Sequence, residues 1–369
     1  MSIGARRQAR SSQFSSFSVQ SGRIVDPAGQ DFLPVGFHLT NPSFGDNGDC
    51  VTHGPDAVSM WGINAVYLDC GVVTDPGLPS WWPTLSRTTM TVYHGESLPQ
   101  WKVDILQRIN AYLAVGLVVI VLTRDSMNQQ RDGNGTVIPG TSGYLAMHPD
   151  IRDFFVWIIN KYKSNPRVWI NPHCEPAKID QDWCDMHNVV IDAVRAAGYK
   201  GPIILDPTIG GQDVGGQAHT YNPNDTNWLQ LVEGSTPYAT GITNKKNIIN
   251  GVHWYGWPTW QRTVPTAQTY ITNHVNAGYP VLFGEFGCMT VSASAVDNTD
   301  VTYQAAQTAF SLMQSGTAGG IWWHGHENDY FRLVQGEAYG QGRFWDKASD
   351  NSNVTWTGQR LLQVTGILP

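Results

Sequence analysis

Eight short apolar runs, separated by helix-period or long polar stretches, set what this chain can fold into. The runs are about 32–39, 61–70 (WGINAVYLDC), 117–123 (LVVIVLT), 167–174 (RVWINPHC), 202–207 (PIILDP), 248–256 (IINGVHWYG), 279–287 (YPVLFGEFG) and 319–325 (GGIWWHG). LVVIVLT is a continuous apolar run up to Thr123, as in a parallel strand covered on both faces. Ahead of it, LPQWKVDILQRINAYLAVG places Trp101, Ile105, Ile109 and Leu113 at helical spacing and stops at Gly116. Similar helical patterns fall at 150–163, 183–197, 266–277 and 301–315. Eight strands with intervening helices, no composition break and no internal repeat predict one α/β domain, a single (β/α)8 TIM barrel. The polar stretches 71–100, 125–148, 209–246 and 326–356 each follow a strand. They are expected as long loops on the C-terminal face, where barrel active sites lie.

A chain of 369 residues suits one such barrel, and 41% hydrophobic against 14% charged residues allows a large core. The first twenty residues, MSIGARRQARSSQFSSFSVQ, carry charge but no apolar stretch behind it. They read as a disordered Ser-rich arm over 1–21, not as a signal peptide, with the catalytic barrel over 22–369. SGRIVDPAGQDFLPVGFHLT then reads as a short hairpin leading into the first strand. A net charge of -7 and a pI near 5.8 argue against nucleic acid or an anionic membrane as partner. No apolar run approaches the ~18 residues of a membrane span. The five cysteines, Cys50, Cys70, Cys174, Cys184 and Cys288, are too few for a disulfide framework, though a Cys50–Cys70 bridge stays open.

Two glutamates stand directly after apolar runs: Glu175 in WINPHCEP, after the fourth, and Glu285 in LFGEFG, at the end of the seventh. Strands four and seven lie across the barrel from each other, so their carboxylates can face one another over its mouth. Cleavage of a glycosidic bond with retention needs such a pair about 5–5.5 Å apart. The 15 Trp and 14 Tyr fit a sugar-binding protein, because a flat pyranose face matches an indole. His253 and Tyr255, two apart on the sixth strand, project to one side, and Tyr255 is placed to hydrogen-bond Glu285. On the eighth strand Trp323 shares a face with Ile321 and fits the floor under the reacting sugar. Trp81, Trp82, Trp254, Trp257, Trp260 and Trp345 are candidates for outer sugar platforms.

The pieces SGRIVDPAGQDFLPVGFHL, SNPRVWINPHCEP, GVHWYG, PVLFGEFG and GGIWW, spread over about 22–330, resemble glycoside hydrolase family 5 and its clan of retaining β-glycosidases. The resemblance implies a cofactor-free double displacement on a β-linked saccharide of the glucan or mannan type, cellulase-like and endo-acting. It puts the acid/base on Glu175, the nucleophile on Glu285, and substrate contacts on His253, Tyr255 and Trp323. Cys174 stands where the family carries Asn, which binds the 2-hydroxyl of the reacting sugar. The strand-two Arg and strand-three His of the family are absent here, and Arg124 is a candidate to supply positive charge from the neighbouring strand. Such an enzyme is expected to be extracellular or surface-associated and monomeric, with an oligosaccharide or polysaccharide as its partner.

Two other functions compete. His173, Cys174, Cys184 and His187 in HCEPAKIDQDWCDMH could form a tetrahedral zinc shell. A non-catalytic carbohydrate-binding barrel would explain the tryptophans but has no need of opposed carboxylates. No GxSxG elbow and no phosphate loop occur.

Overall fold

A computed structural model describes residues 16–40, 49–70, 90–123, 143–176, 181–208, 210–213, 227–236, 238–256, 259–288, 299–325, 333–335 and 343–369, with backbone alone at 40, 49–51, 143–150 and 259–260. The barrel strands are β1 (Val35–Thr40), β2 (Ala65–Asp69), β3 (Val118–Leu122), β4 (Val168–Asn171) and β5 (Ile203–Leu205). They are followed by β6 in two pieces (Ile248–Asn250 and His253–Trp254), β7 (Leu282–Phe286) and β8 (Gly319–Trp322). All neighbours run parallel. The helices are α1 (Asp49–Trp61), α2 (Gln100–Ala114), α3 (Gly143–Tyr162), α4 (Gln181–Ala196), α5 (Asn227–Glu233), α6 (Val264–Asn276), α7 (Val301–Gln314) and α8 (Trp356–Val364). This is the predicted (β/α)8 barrel.

Sheet closure explains why the sixth apolar run is not one strand. Its first piece pairs with β5, Ile248 opposite Ile203, and its second with β7, His253 opposite Glu285. Asn250 N–H donates to the Pro280 carbonyl at 3.0 Å and Gly284 N–H to Val252 at 2.8 Å, which joins the two ends of the sheet. The break therefore lies at the seam, and it sets His253 directly beside Glu285.

Every residue of β2, β3 and β7 is buried, because each strand packs on two cores. Ala65, Tyr67, Val118, Ile120, Leu122, Trp169, Ile204, Ile249, Leu282 and Ile321 fill the barrel interior. Val66, Leu68, Val119, Val121, Phe283 and Trp322 face the helices. Burying one such large aliphatic or aromatic side chain contributes about 1.5–3 kcal/mol. Residues 16–21, within the stretch read as an arm, enter the fold: Ser18–Gln20 pairs with Arg23–Val25. Phe17 then meets Phe32 and Trp169 edge-on at 4.9 and 5.2 Å and closes the lower end of the barrel. Residues 1–15 lie outside the described residues.

Three helices carry no clear signal in the sequence. α1 contains Pro55, which interrupts the donor ladder and masks the pattern. Its end, Trp61, was expected to open the second strand, which begins only at Ala65. α5 has seven residues, and α8 has nine with Gly358 inside, both too short for a reliable period. Within 71–100 the structure adds an antiparallel hairpin, Met90–Tyr93 with Glu96–Pro99.

Candidate active site

The C-terminal strand ends gather three acidic side chains around one imidazole. His253 is fully buried, with Nδ1 3.1 Å from Oε1 of Glu175 and 3.4 Å from Oε2 of Glu285. The two carboxylate oxygens are therefore no more than 6.5 Å apart, the sum of those distances. His253 Nε2 rests 3.0 Å from Oδ2 of Asp206. Burial alone would push this imidazole's pKa down. The charges of Glu285 and Asp206, with bonds to Asp206 and Glu175, outweigh that and hold it well above the ordinary histidine value. The ring is thus flanked by three carboxyl groups, which together favour its protonated form.

Glu285 is nearly enclosed, with its side chain 3% exposed. Its Oε2 accepts from the Tyr255 hydroxyl at 3.2 Å, and its Oε1 faces the Cys174 thiol at 3.5 Å and His38 Nε2 at 3.7 Å. Glu175 is more open, at 19%. It lies past the end of β4 in the left-handed region, φ 51°, where a non-glycine residue is strained. Two tethers hold it there: its N–H donates to Asp206 Oδ2 at 3.1 Å, and the N–H of Cys174 before it donates to the Thr123 carbonyl at 2.9 Å. Asp206 is fixed in turn by Asn171 Nδ2 at 2.7 Å.

The structure brings together Glu175, Glu285, His253, Tyr255 and Cys174, and adds three residues the sequence reading passed over. His38, in the C-terminal half of β1, is fully buried and also bonds the Gly284 carbonyl at 3.1 Å. Asp206 closes β5, and Gln261 fixes the β6 turn by donating to the His253 carbonyl at 2.9 Å and accepting from Gly256 N–H at 2.8 Å. His38 and Asp206 had a legible signal, a polar residue ending an apolar run in GFHLT and PIILDP. Trp323 is half-buried, edge-on to His38 at 4.9 Å, while Trp322 packs outward on Phe310.

Other expectations fare differently. Arg124, Trp81, Trp82 and Trp257, and the side chains of Cys50 and Trp260, lie outside the described residues. Trp254 is no sugar platform: it is fully buried against Phe283 at 4.6 Å. Trp345 is half-buried and stacks on His53 at 4.9 Å. The proposed four-ligand zinc shell does not form. Cys174 turns to Glu285, the Cys184 thiol to the Leu231 carbonyl at 3.3 Å, and His187 Nδ1 to the Trp183 carbonyl at 2.7 Å. Among the described residues, no helix is long and apolar enough to cross a membrane.

The family model described as cellulase, glycosyl hydrolase family 5, matches residues 25–329. No curated protein matches the sequence. Among solved structures, the catalytic domain of a mannanase from Streptomyces sp. SirexAA-E is similar at 18% identity and TM-score 0.57, over 99% of this chain and 96% of that one. A β-mannanase from Streptomyces thermolilacinus with mannohexaose is 17% identical, with TM-score 0.62 and 96% of each chain covered. The catalytic domain of alkaline cellulase K is 11% identical, with TM-score 0.60 over 95% of this chain and 94% of that one. At these identities the likeness is one of fold.

Proposed function

The chain belongs to the cellulase family, glycosyl hydrolase family 5, a membership that makes it a glycoside hydrolase of β-glycans, and we propose that it is an endo-acting, retaining hydrolase of a β-glucan or β-mannan. The observation that carries this reading is the pair Glu175 and Glu285, whose oxygens share His253 Nδ1 within 6.5 Å of each other. That spacing supports retention, since the 6.5–9.5 Å of an inverting pair leaves room for a water between the carboxyls.

In this reading Glu285 attacks the anomeric carbon while Glu175 protonates the departing glycosidic oxygen. Water activated by Glu175 then releases the sugar from Glu285, restoring both groups. The donors around Glu285, Tyr255 and the His253 imidazolium, favour its ionised form before attack. Trp323 lines the cleft floor for the ring of the reacting sugar. The mannohexaose in the Streptomyces thermolilacinus structure supports an oligosaccharide occupant for a barrel of this fold. The enzyme is read as a monomer that needs no cofactor. A screen of β-glucans, mannans and xylans for reducing-end release, wild type beside Glu285→Ala, tests the proposal. Release by wild type alone supports it, and no release from any β-glycan counts against it.

A further inference from the structure

Cys174, His253 and Glu285 come from three different strand ends, yet one ligand atom of each lies within 4.8 Å of the other two, and all three residues are buried. Among the described residues no other three such donors converge this closely. Glu285 is approached closely on both oxygens: Cys174 Sγ lies 3.5 Å from Oε1, and His253 Nδ1 lies 3.4 Å from Oε2. Bonds of about 2.0–2.3 Å from a tetrahedral Zn²⁺ to nitrogen, oxygen and sulfur place its ligand atoms roughly 3.3–3.7 Å apart. From a span of up to 4.8 Å, the three donors close on such an ion by a contraction of at most about 1–1.5 Å.

The donor types also match, since thiolate, imidazole and carboxylate are the ligands a borderline-soft divalent ion takes. An independent feature points the same way. Nδ1 of His253 faces the cluster while Nε2 lies 3.0 Å from Asp206 Oδ2, which is the arrangement of a ligating imidazole whose other nitrogen is oriented by a carboxylate. We infer that Cys174, His253 and Glu285 form a binding site for a thiophilic divalent cation of the zinc type, backed by Asp206. Glu175 Oε1, 3.1 Å from the same Nδ1, or a water from the cleft completes the fourth position. Coordination forms bonds to sulfur, nitrogen and oxygen and releases the thiol proton and the Nδ1 proton to solvent. The site exists because the thiol stands beside the carboxylate; an amide at position 174 would offer the ion no comparable ligand. The inference goes beyond glycoside cleavage. A bound ion occupies Glu285 and His253 and so blocks hydrolysis, while binding itself requires no sugar chemistry.

The test is a titration of the chelator-treated full chain with Co²⁺ and then Zn²⁺. Wild type should bind one equivalent of Co²⁺ with a sulfur-to-cobalt charge-transfer band in the near ultraviolet, which Zn²⁺ abolishes by displacement. Cys174→Ser should lose the band and bind at least tenfold more weakly, and Asp206→Asn should weaken affinity by about 10–100-fold. Cys184→Ser, whose thiol serves the Leu231 carbonyl, should keep the band. No Co²⁺ uptake by folded wild type, uptake without the band, or a band that survives Cys174→Ser overturns the inference. Reducing-end release is measured separately: a chain that shows the band and hydrolyses nothing retains the cation site and loses the hydrolase reading.

Discussion

Oδ2 of Asp206 lies 3.0 Å from Nε2 of His253, and neither side chain has any exposure. The same oxygen accepts the backbone N–H of Glu175 at 3.1 Å. Asp206 thus fixes the charge of the imidazole and the position of the open glutamate at once. Asp206→Asn removes one of the anions that keep His253 protonated, so the imidazole pKa falls. It also turns an amide nitrogen toward existing donors. The expected outcome is a loss in kcat/KM on the order of 10²-fold, with the alkaline limb of the pH profile displaced to lower pH. A profile that drops uniformly without moving assigns Asp206 a purely structural role.

A second pair of buried groups sets the pH dependence of stability. Asp213 and His274 both contact Tyr270, Asp213 through its hydroxyl at 3.0 Å and His274 through its carbonyl at 2.9 Å. Burial raises the Asp213 pKa to about 7 and lowers that of His274 to about 4. Asp213, raised above its ordinary 3.8, contributes stability that is lost as pH rises toward 7. His274, depressed below 6.5, contributes stability that is lost as pH falls from 6.5 toward 4. Each slope amounts to roughly 3–4 kcal/mol over its window, and they run in opposite directions. Removing either one exposes the other. Asp213→Asn should make the melting temperature rise between pH 4 and 6.5, and His274→Gln should make it fall between pH 4 and 7. Scanning calorimetry of both variants decides the matter; unchanged wild-type slopes in both would remove these residues from the account.

Much of this site was legible because barrel chemistry sits where apolar runs stop. Glu175, Glu285, His253 and Tyr255 each end a run, and period-two alternation correctly puts Trp322 outside and Trp323 toward the mouth. Asp206 and His38 carry the same signal without a partner motif nearby, so nothing local separates them from capping residues. Their roles come from β5 lying beside β6, and from His38 of β1 reaching past β8 to the Gly284 carbonyl of β7, which is long-range geometry. The break in β6 is of the same kind, since it follows from closing the sheet and not from any breaker at 251–252 that a strand could not absorb. Trp254 shows the limit of composition: an indole two residues from the mouth packs against Phe283 because its neighbours took the inner face.

The backbone beneath His253 gives a sharper packing test. Gly211 has φ +73°, and a Cβ built there would sit 2.5 Å from Cγ of the His253 ring. Gly210 has a similar φ of +65°, but its Cβ would meet only Gln212 Nε2, at 3.9 Å. Alanine at either position incurs the left-handed strain of about 1–2 kcal/mol. Only Gly211→Ala also displaces the imidazole. Both variants should melt at lower temperature, Gly211→Ala by more because the clash adds to the strain, while kcat/KM falls on the order of 10²-fold in Gly211→Ala alone. Equal activities would show that the placement of His253 does not limit turnover.

The division of labour between the two glutamates follows from their surroundings and separates kinetically. Glu285 is enclosed and surrounded by donors, Tyr255 at 3.2 Å, His253 at 3.4 Å and the Cys174 thiol at 3.5 Å, which suits a group that must be an anion when it attacks. Glu175 is the more exposed of the two and has room to meet first a leaving oxygen and then a water. Glu285→Ala should therefore lower turnover by about 10⁴–10⁶-fold on every substrate. The space left by the carboxylate should admit azide, which attacks the sugar once and gives an inverted glycosyl azide. Glu175→Ala should lower turnover of natural glycans by roughly 10²–10⁴-fold yet spare the first step for an aryl glycoside, whose phenolate leaves without a proton. In that variant azide should attack the glycosyl-enzyme on Glu285 and give a product of retained configuration. Proton NMR of the two azide adducts reads the anomeric outcome directly. If the adducts exchange stereochemistry between the variants, Glu175 is the nucleophile and the assignment reverses. If both variants turn over aryl and natural substrates at wild-type rates, the chemistry lies elsewhere.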